Sequence, residues 1–84
     1  MKLPQEFADQ ISALTEAIDR ESDPARRGEL IFRRGRLRWK VQDRAGAMSD
    51  YAAAAELAPG CGASEALAQC REIMAFYHRD LYNP

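Results

Sequence analysis

The segment from Gly28 to Gly62 reads GELIFRRGRLRWKVQDRAGAMSDYAAAAELAPGCG and contains two helical patterns separated by a short polar break. Gly35 lies in the middle of the first pattern. A glycine there costs about 1 kcal/mol relative to alanine, so we expect close approach of a neighbouring helix. In the second pattern, the spacing of Ala47, Tyr51 and Ala54 places two small residues and one large residue on one helical face. The segment therefore predicts a tightly packed helical hairpin.

The spacing of five residues in this segment resembles the tetratricopeptide repeat (TPR), a helix-turn-helix unit of about 34 residues. The family signature runs W-x2-L-G-x2-Y, then A-x3-F, then P. The residues that carry the resemblance, at offsets 0, +12, +16, +19 and +24, are Gly35, Ala47, Tyr51, Ala54 and Pro59. The resemblance covers one full repeat at about residues 28–61. It implies an all-α fold in which four antiparallel helices form two helix-turn-helix hairpins of a short solenoid.

The first helix of this repeat departs from the family pattern at three positions. Ile31 stands where the family has an aromatic residue, Arg34 where it has leucine and Arg38 where it has tyrosine, although Leu37 and Trp39 flank the last position. The direction in which this helix faces is therefore less well defined than that of the second.

Periodicity and capping signals predict helices at about residues 5–21, 25–41, 44–58 and 63–79 of a single domain, residues 1–84. The first helix has an apolar stripe with the spacing i, i+4, i+7 and i+11, and it resembles half of a preceding repeat. Asp23 and Asp43 are suited to cap the second and third helices, and Pro59 cannot continue the third. The stripe of the first helix consists of Phe7, Ile11, Leu14 and Ile18.

Composition favours a folded cytoplasmic protein. Apolar residues make up 46% and charged residues 30% of the chain, which is ordinary for a globular domain. We find neither an apolar run of the roughly 20 residues that span a bilayer nor a hydrophobic signal region at the N-terminus. Cys61 and Cys70 lie too far apart along the predicted elements for an unstrained disulfide, so we predict free thiols and a reducing compartment.

The residues that enzymes use are sparse, so we predict no enzymatic activity, no cofactor and no metal site. The chain has one histidine, no pair of cysteines at metal-ligand spacing and no glycine-rich phosphate loop. Its carboxylates are predicted to lie on helix surfaces, where charged side chains are usually solvated and have no catalytic role. Non-enzymatic protein–protein interaction is therefore the predicted function.

In the TPR family the first helix of each pair lines the surface that binds peptides, and the resemblance places six candidate residues there. Three of them form a basic stripe at i, i+3 and i+7 beside two aromatic residues, a surface suited to an acidic or carboxylate-bearing peptide. The alternative is a solvated face that pairs with acids of the first helix. Nucleic acid is disfavoured by the net charge of −1 and by that acidic helix. The candidates are Glu29, Phe32, Arg33, Arg36, Trp39 and Lys40.

The fourth helix has an apolar face wider than one neighbouring helix covers, which predicts a homodimer. A structural homodimer without a third-party ligand is thus the second functional hypothesis. The alternative is that these side chains close the core of the monomer, which their helical spacing permits. The candidate interface residues are Ile73, Met74, Phe76, Tyr77, Leu81 and Tyr82.

Overall fold

The computed structural model describes the backbone of residues 4–82 and the side chains of residues 5–76. Within residues 4–82 the chain is all-helical and has no strand. The first two helices begin one residue earlier than predicted, and the fourth ends three residues later than predicted. The four helices are α1 (Pro4–Arg20), α2 (Pro24–Lys40), α3 (Arg44–Leu57) and α4 (Ala63–Tyr82).

Each helix packs chiefly on its neighbour in sequence, and the α2–α3 interface is the most extensive. The principal extents are 49 × 31 × 17 Å. Because a helix with its side chains is about 10 Å across, the least of these dimensions is shorter than two helix diameters. Every helix therefore has a side that faces solvent. Among the described residues, no helix is both long enough and apolar enough to cross a membrane.

Side-chain caps begin the two central helices where the sequence predicts them. Asp23 accepts a hydrogen bond from the backbone N–H of Arg26, and Asp43 accepts one from Gly46, each at 3.0 Å. These caps satisfy backbone donors that have no partner within the helix. After α2 the chain turns through Gln42, whose φ of 68° lies in the left-handed region that disfavours side chains.

Small residues bring α2 and α3 together. Ala47 and Ala54 are fully buried on either side of Tyr51, which is also buried. A Cβ atom built on Gly35 would lie 2.9 Å from Cε1 of Tyr51, and one built on Gly28 would lie 2.8 Å from Cβ of Ala58. The close approach predicted at Gly35 is confirmed, and Gly28 makes a second one.

The two outer helices are less completely covered. On α1 only Ile18 of the predicted stripe is fully buried, while Phe7, Ile11 and Leu14 are half-buried, because α1 packs mainly on α2. On α4, Cys70 is buried at the α3 side. Both cysteines are free thiols, as predicted.

Candidate functional site

Four charged residues form one exposed face of α2, which we call the basic face: Glu29, Arg33, Arg36 and Lys40. Their spacing of four, three and four residues keeps them on one side of the helix. Among the described side chains, neither Arg33 nor Lys40 forms an ion pair. The Arg36 guanidinium lies 5.7 Å from the ring centroid of Phe32, close enough for a cation–π contact.

The two aromatic candidates are half-buried rather than fully exposed. Phe32 packs edge-on against Tyr51, with 5.5 Å between ring centroids and 60° between ring planes. Trp39 lies beneath Arg44, whose guanidinium is 5.2 Å from its ring centroid. Both rings thus border the basic face on the side of α4 and hold an arginine above them.

A shallow groove lies between α2 and α4, with α3 as its floor. Its volume is about 110 Å³, and a second depression near the α1–α2 loop measures about 180 Å³. Both are smaller than the roughly 300–1,000 Å³ of typical small-molecule sites, so the groove suits a single inserted side chain. Its lining is mostly apolar and consists of Trp39, Tyr51, Ala66, Gln69, Cys70 and Ile73.

Burial changes the acidity of two groups at the floor of the groove. It raises the pKa of the Tyr51 phenol, and the neighbouring Cys70 raises it further. Burial also raises the pKa of the Cys70 thiol, while nearby Arg44 opposes the shift. Because the thiolate is the reactive form of cysteine, burial and the raised pKa both disfavour reaction at Cys70.

A buried carboxylate corrects the prediction that the acids lie on solvated surfaces. Asp50 is only 4% exposed. Arg34 donates two hydrogen bonds to it, from Nε to Oδ2 at 3.0 Å and from Nη2 to Oδ1 at 2.9 Å. Arg38 Nη1 donates to both carboxylate oxygens at 3.2 Å. Two of the three departures of α2 from the TPR pattern, Arg34 and Arg38, are therefore the partners of a buried charge.

This buried cluster also reaches α1. Arg34 Nη1 donates to Oγ1 of Thr15 at 3.2 Å, and that hydroxyl donates to the carbonyl of Ile11 at 2.9 Å. The hydrogen bonds to Asp50 raise the pKa of the Arg34 guanidinium. One signal could have revealed the burial of Asp50, because it follows Ala47 by three residues and so shares its buried face.

The acids of α1 do not pair with the basic face of the same chain. Glu6, Asp9, Glu16 and Asp19 are all exposed, and Asp9 and Glu16 lie on the side of α1 opposite the buried Ile18. Among the described side chains, the ion pairs of α2 are made by Arg34 and Arg38 with residues of α3 and of the loop before it. The predicted alternative of pairing with the first helix is therefore wrong.

The candidate dimer residues are only partly described. Ile73 is 40% exposed and Phe76 is 61% exposed, while Met74 is half-buried. The side chains of Tyr77, Leu81 and Tyr82 lie outside the described residues. No group of three or more His, Cys, Asp or Glu among the described residues is placed to hold a metal ion.

Comparison with protein-family models, with curated proteins and with solved structures finds no match to this chain. The resemblance to the TPR family therefore rests on the spacing of its residues from Gly35 to Pro59.

Proposed function

We propose that this chain is a non-enzymatic protein–protein interaction domain of the TPR type. In this assignment α2 and α3 form the full repeat, α1 is the second helix of a preceding unit and α4 is the first helix of a following one. The packing of each helix on its sequence neighbour supports it, as do the close contacts at Gly28 and Gly35. Free thiols at both cysteines support a reducing compartment such as the cytoplasm.

The ligand we propose is an acidic peptide segment with one apolar residue. The observation that carries this proposal is the combination of an exposed basic face with an apolar groove beside it. Arg33, Arg36 and Lys40 would bind carboxylates, and the groove between α2 and α4 would take the apolar side chain. The guanidinium of Arg36 stays near the groove because it packs on Phe32.

The test is a titration of fluorescent acidic peptides that contain a leucine, with and without charge reversal of the basic face. Arg33→Glu with Arg36→Glu is expected to abolish binding, because like charges then face the ligand. Arg71→Glu with Arg20→Glu is the matched control, since both arginines are exposed outside the groove lining and their reversal changes the net charge equally. Unchanged affinity in the first variant would mean that the basic face is only a solvated surface.

A second candidate function is a structural homodimer formed through α4. The exposure of Ile73 and Phe76 supports it, because exposed apolar residues on one helical face commonly mark an interface. Molar mass measured by light scattering over a wide range of protein concentration would test it. A dimer that becomes monomeric and stays helical when both residues are replaced by Asp supports this function. A wild-type monomer at all concentrations rules it out.

A further inference from the structure

The exposed face of α1 carries charges in a regular order. Asp9, Glu16 and Arg20 are exposed and are separated by seven and four residues. At about 100° of rotation per residue they lie within roughly 40° of one another on the helix. Read towards the C-terminus, this stripe has the order negative, negative, positive.

The basic face of α2 carries the opposite signs at the same spacing in the reverse direction. From the C-terminal end, Lys40, Arg33 and Glu29 are separated by seven and four residues and are all exposed. They too lie within roughly 40° on their helix. If the two helices lie antiparallel, each charge of one stripe therefore faces an opposite charge of the other. At 1.5 Å per residue, the three facing pairs are separated along the helix axis by about 10 Å and then about 6 Å.

The two stripes cannot meet within one chain. The charged stripe of α1 lies on the side opposite Leu14 and Ile18, which face the core. The contact of α1 with α2 runs through Thr15 and Arg34, and Arg34 points inward to the buried Asp50. Only another molecule can therefore present the basic face to the stripe of α1.

We propose that α1 of one copy binds antiparallel along the basic face of α2 of a second copy. Ala13 then faces Arg36, and the small methyl group leaves room for that guanidinium between the two acids of α1. The paired stretch ends at Lys40, because this is the last residue of α2. The three pairs of this contact are Asp9 with Lys40, Glu16 with Arg33, and Arg20 with Glu29.

This inference rests on the same basic face as the proposed function, and it names a partner for that face. It makes self-association and binding of an acidic peptide mutually exclusive. Exposed ion pairs are individually weak and are screened by salt, so the association is weak and falls steeply as ionic strength rises.

The experiment is a charge swap followed by sedimentation velocity of the full chain at low salt and high protein concentration. One variant combines Asp9→Lys with Glu16→Lys, and the other combines Arg33→Glu with Lys40→Glu. Each alone is expected to weaken self-association about tenfold or more, because two of the three pairs become repulsive. An equimolar mixture restores it, because α1 of the first variant matches α2 of the second.

Controls separate charge matching from net charge and from misfolding. Glu72→Lys and Arg71→Glu change exposed charges of α4 and are expected to leave association unchanged. The milder pair Asp9→Asn with Glu16→Gln is expected to give a partial loss with unchanged helicity by circular dichroism. These variants keep the test decisive if a charge reversal fails to fold.

Three results would overturn the pairing: no self-association of the wild type, association that survives both reversals, or a mixture that does not regain it. Peptide binding that depends on Arg33 and Arg36 without any self-association would reject the pairing and leave the proposed function standing. Association rescued by the swap, with no binding of acidic peptides, would do the reverse.

Discussion

Replacement of Asp50 with alanine is expected to be the most damaging single polar substitution in this chain. The side chain of Asp50 is 5% exposed, and its carboxylate accepts hydrogen bonds from two arginines of α2. Its removal leaves Arg34 without its hydrogen-bonded anion and Arg38 with only the longer pair to Asp43, at 3.9 Å. Arg34 also loses the partner that fixes its orientation towards Thr15 and hence towards α1.

The size of the effect follows from burial. Breaking a fully buried ion pair by removing one partner costs about 3–5 kcal/mol. The arginine side chains are 17% and 26% exposed, so part of each can turn towards water and recover solvation. We therefore expect a loss near the lower limit, about 3 kcal/mol. A small domain has a total stability of roughly 5–15 kcal/mol, so this loss is a large share of it.

The assay is urea unfolding followed by circular dichroism, supported by thermal melts. For a domain of this size, about 3 kcal/mol corresponds to a fall in Tm of roughly 12–24 °C. Arg38→Met is the internal comparison. It is expected to lower the free energy of unfolding less than Asp50→Ala does, because the two hydrogen bonds from Arg34 to Asp50 remain. Replacing both arginines and Asp50 together with apolar residues of similar volume is expected to restore most of the stability, since no buried charge is then left unpaired.

Two results would refute this reasoning. A loss below about 1 kcal/mol for Asp50→Ala would place the cluster among ordinary surface pairs. Equal losses for Asp50→Ala and for the triple apolar replacement would show that lost volume, and not unpaired charge, determines the cost.

Three further predictions concern the backbone and pH. Gln42→Gly is expected to stabilise the fold by about 1 kcal/mol in urea unfolding, because φ is 68° there, whereas Gly62→Ala at φ 98° is expected to destabilise it. Gly35→Ala is expected to cost about 1–2 kcal/mol because the new Cβ meets Tyr51, while Gly60→Ala, with nothing within 4 Å, changes stability little. The free energy of unfolding is expected to fall above about pH 9. Burial raises the pKa values of the Cys70 thiol and the Tyr51 phenol in the folded state. The contribution of these two neutral groups to folding stability is therefore complete below their unfolded-state pKa values, and it is lost as pH rises through the folded-state values. Cys70→Ala is expected to flatten the first part of that decline, and an unchanged profile would contradict this cause.

Local signals were sufficient to predict the helices and the α2–α3 contact. Aspartates placed immediately before Pro24 and Arg44 mark helix starts through short-range hydrogen bonds, which depend on neighbouring residues alone. The glycine at position 35 carries its own conformational cost, and this cost indicates a packing partner without naming it. These features could be read from the sequence because their physics is confined to one or two helical turns.

The buried cluster and the groove depend on residues that are distant in sequence. Arg34 and Asp50 are 16 residues apart, and nothing in the spacing of either helix states that these two charges meet. The groove requires α2, α3 and α4 to be placed together, as the contributions of Trp39, Tyr51 and Ile73 show. The basic face was easier to predict, because exposure of a charged stripe follows from helical period alone.

The cationic residues of α2 are divided between two tasks by their position around the helix. Arg34 and Arg38 point towards Asp50 and hold α1, α2 and α3 together, whereas Arg33 and Lys40 face solvent without ion pairs among the described side chains. The proposed partner binding is therefore expected to be separable from stability. Reversal of the outward charges is expected to remove the proposed binding and to leave the melting temperature nearly unchanged, because surface charges contribute little to folding. Substitution in the inward cluster lowers the melting temperature and affects binding only as far as the fold is lost.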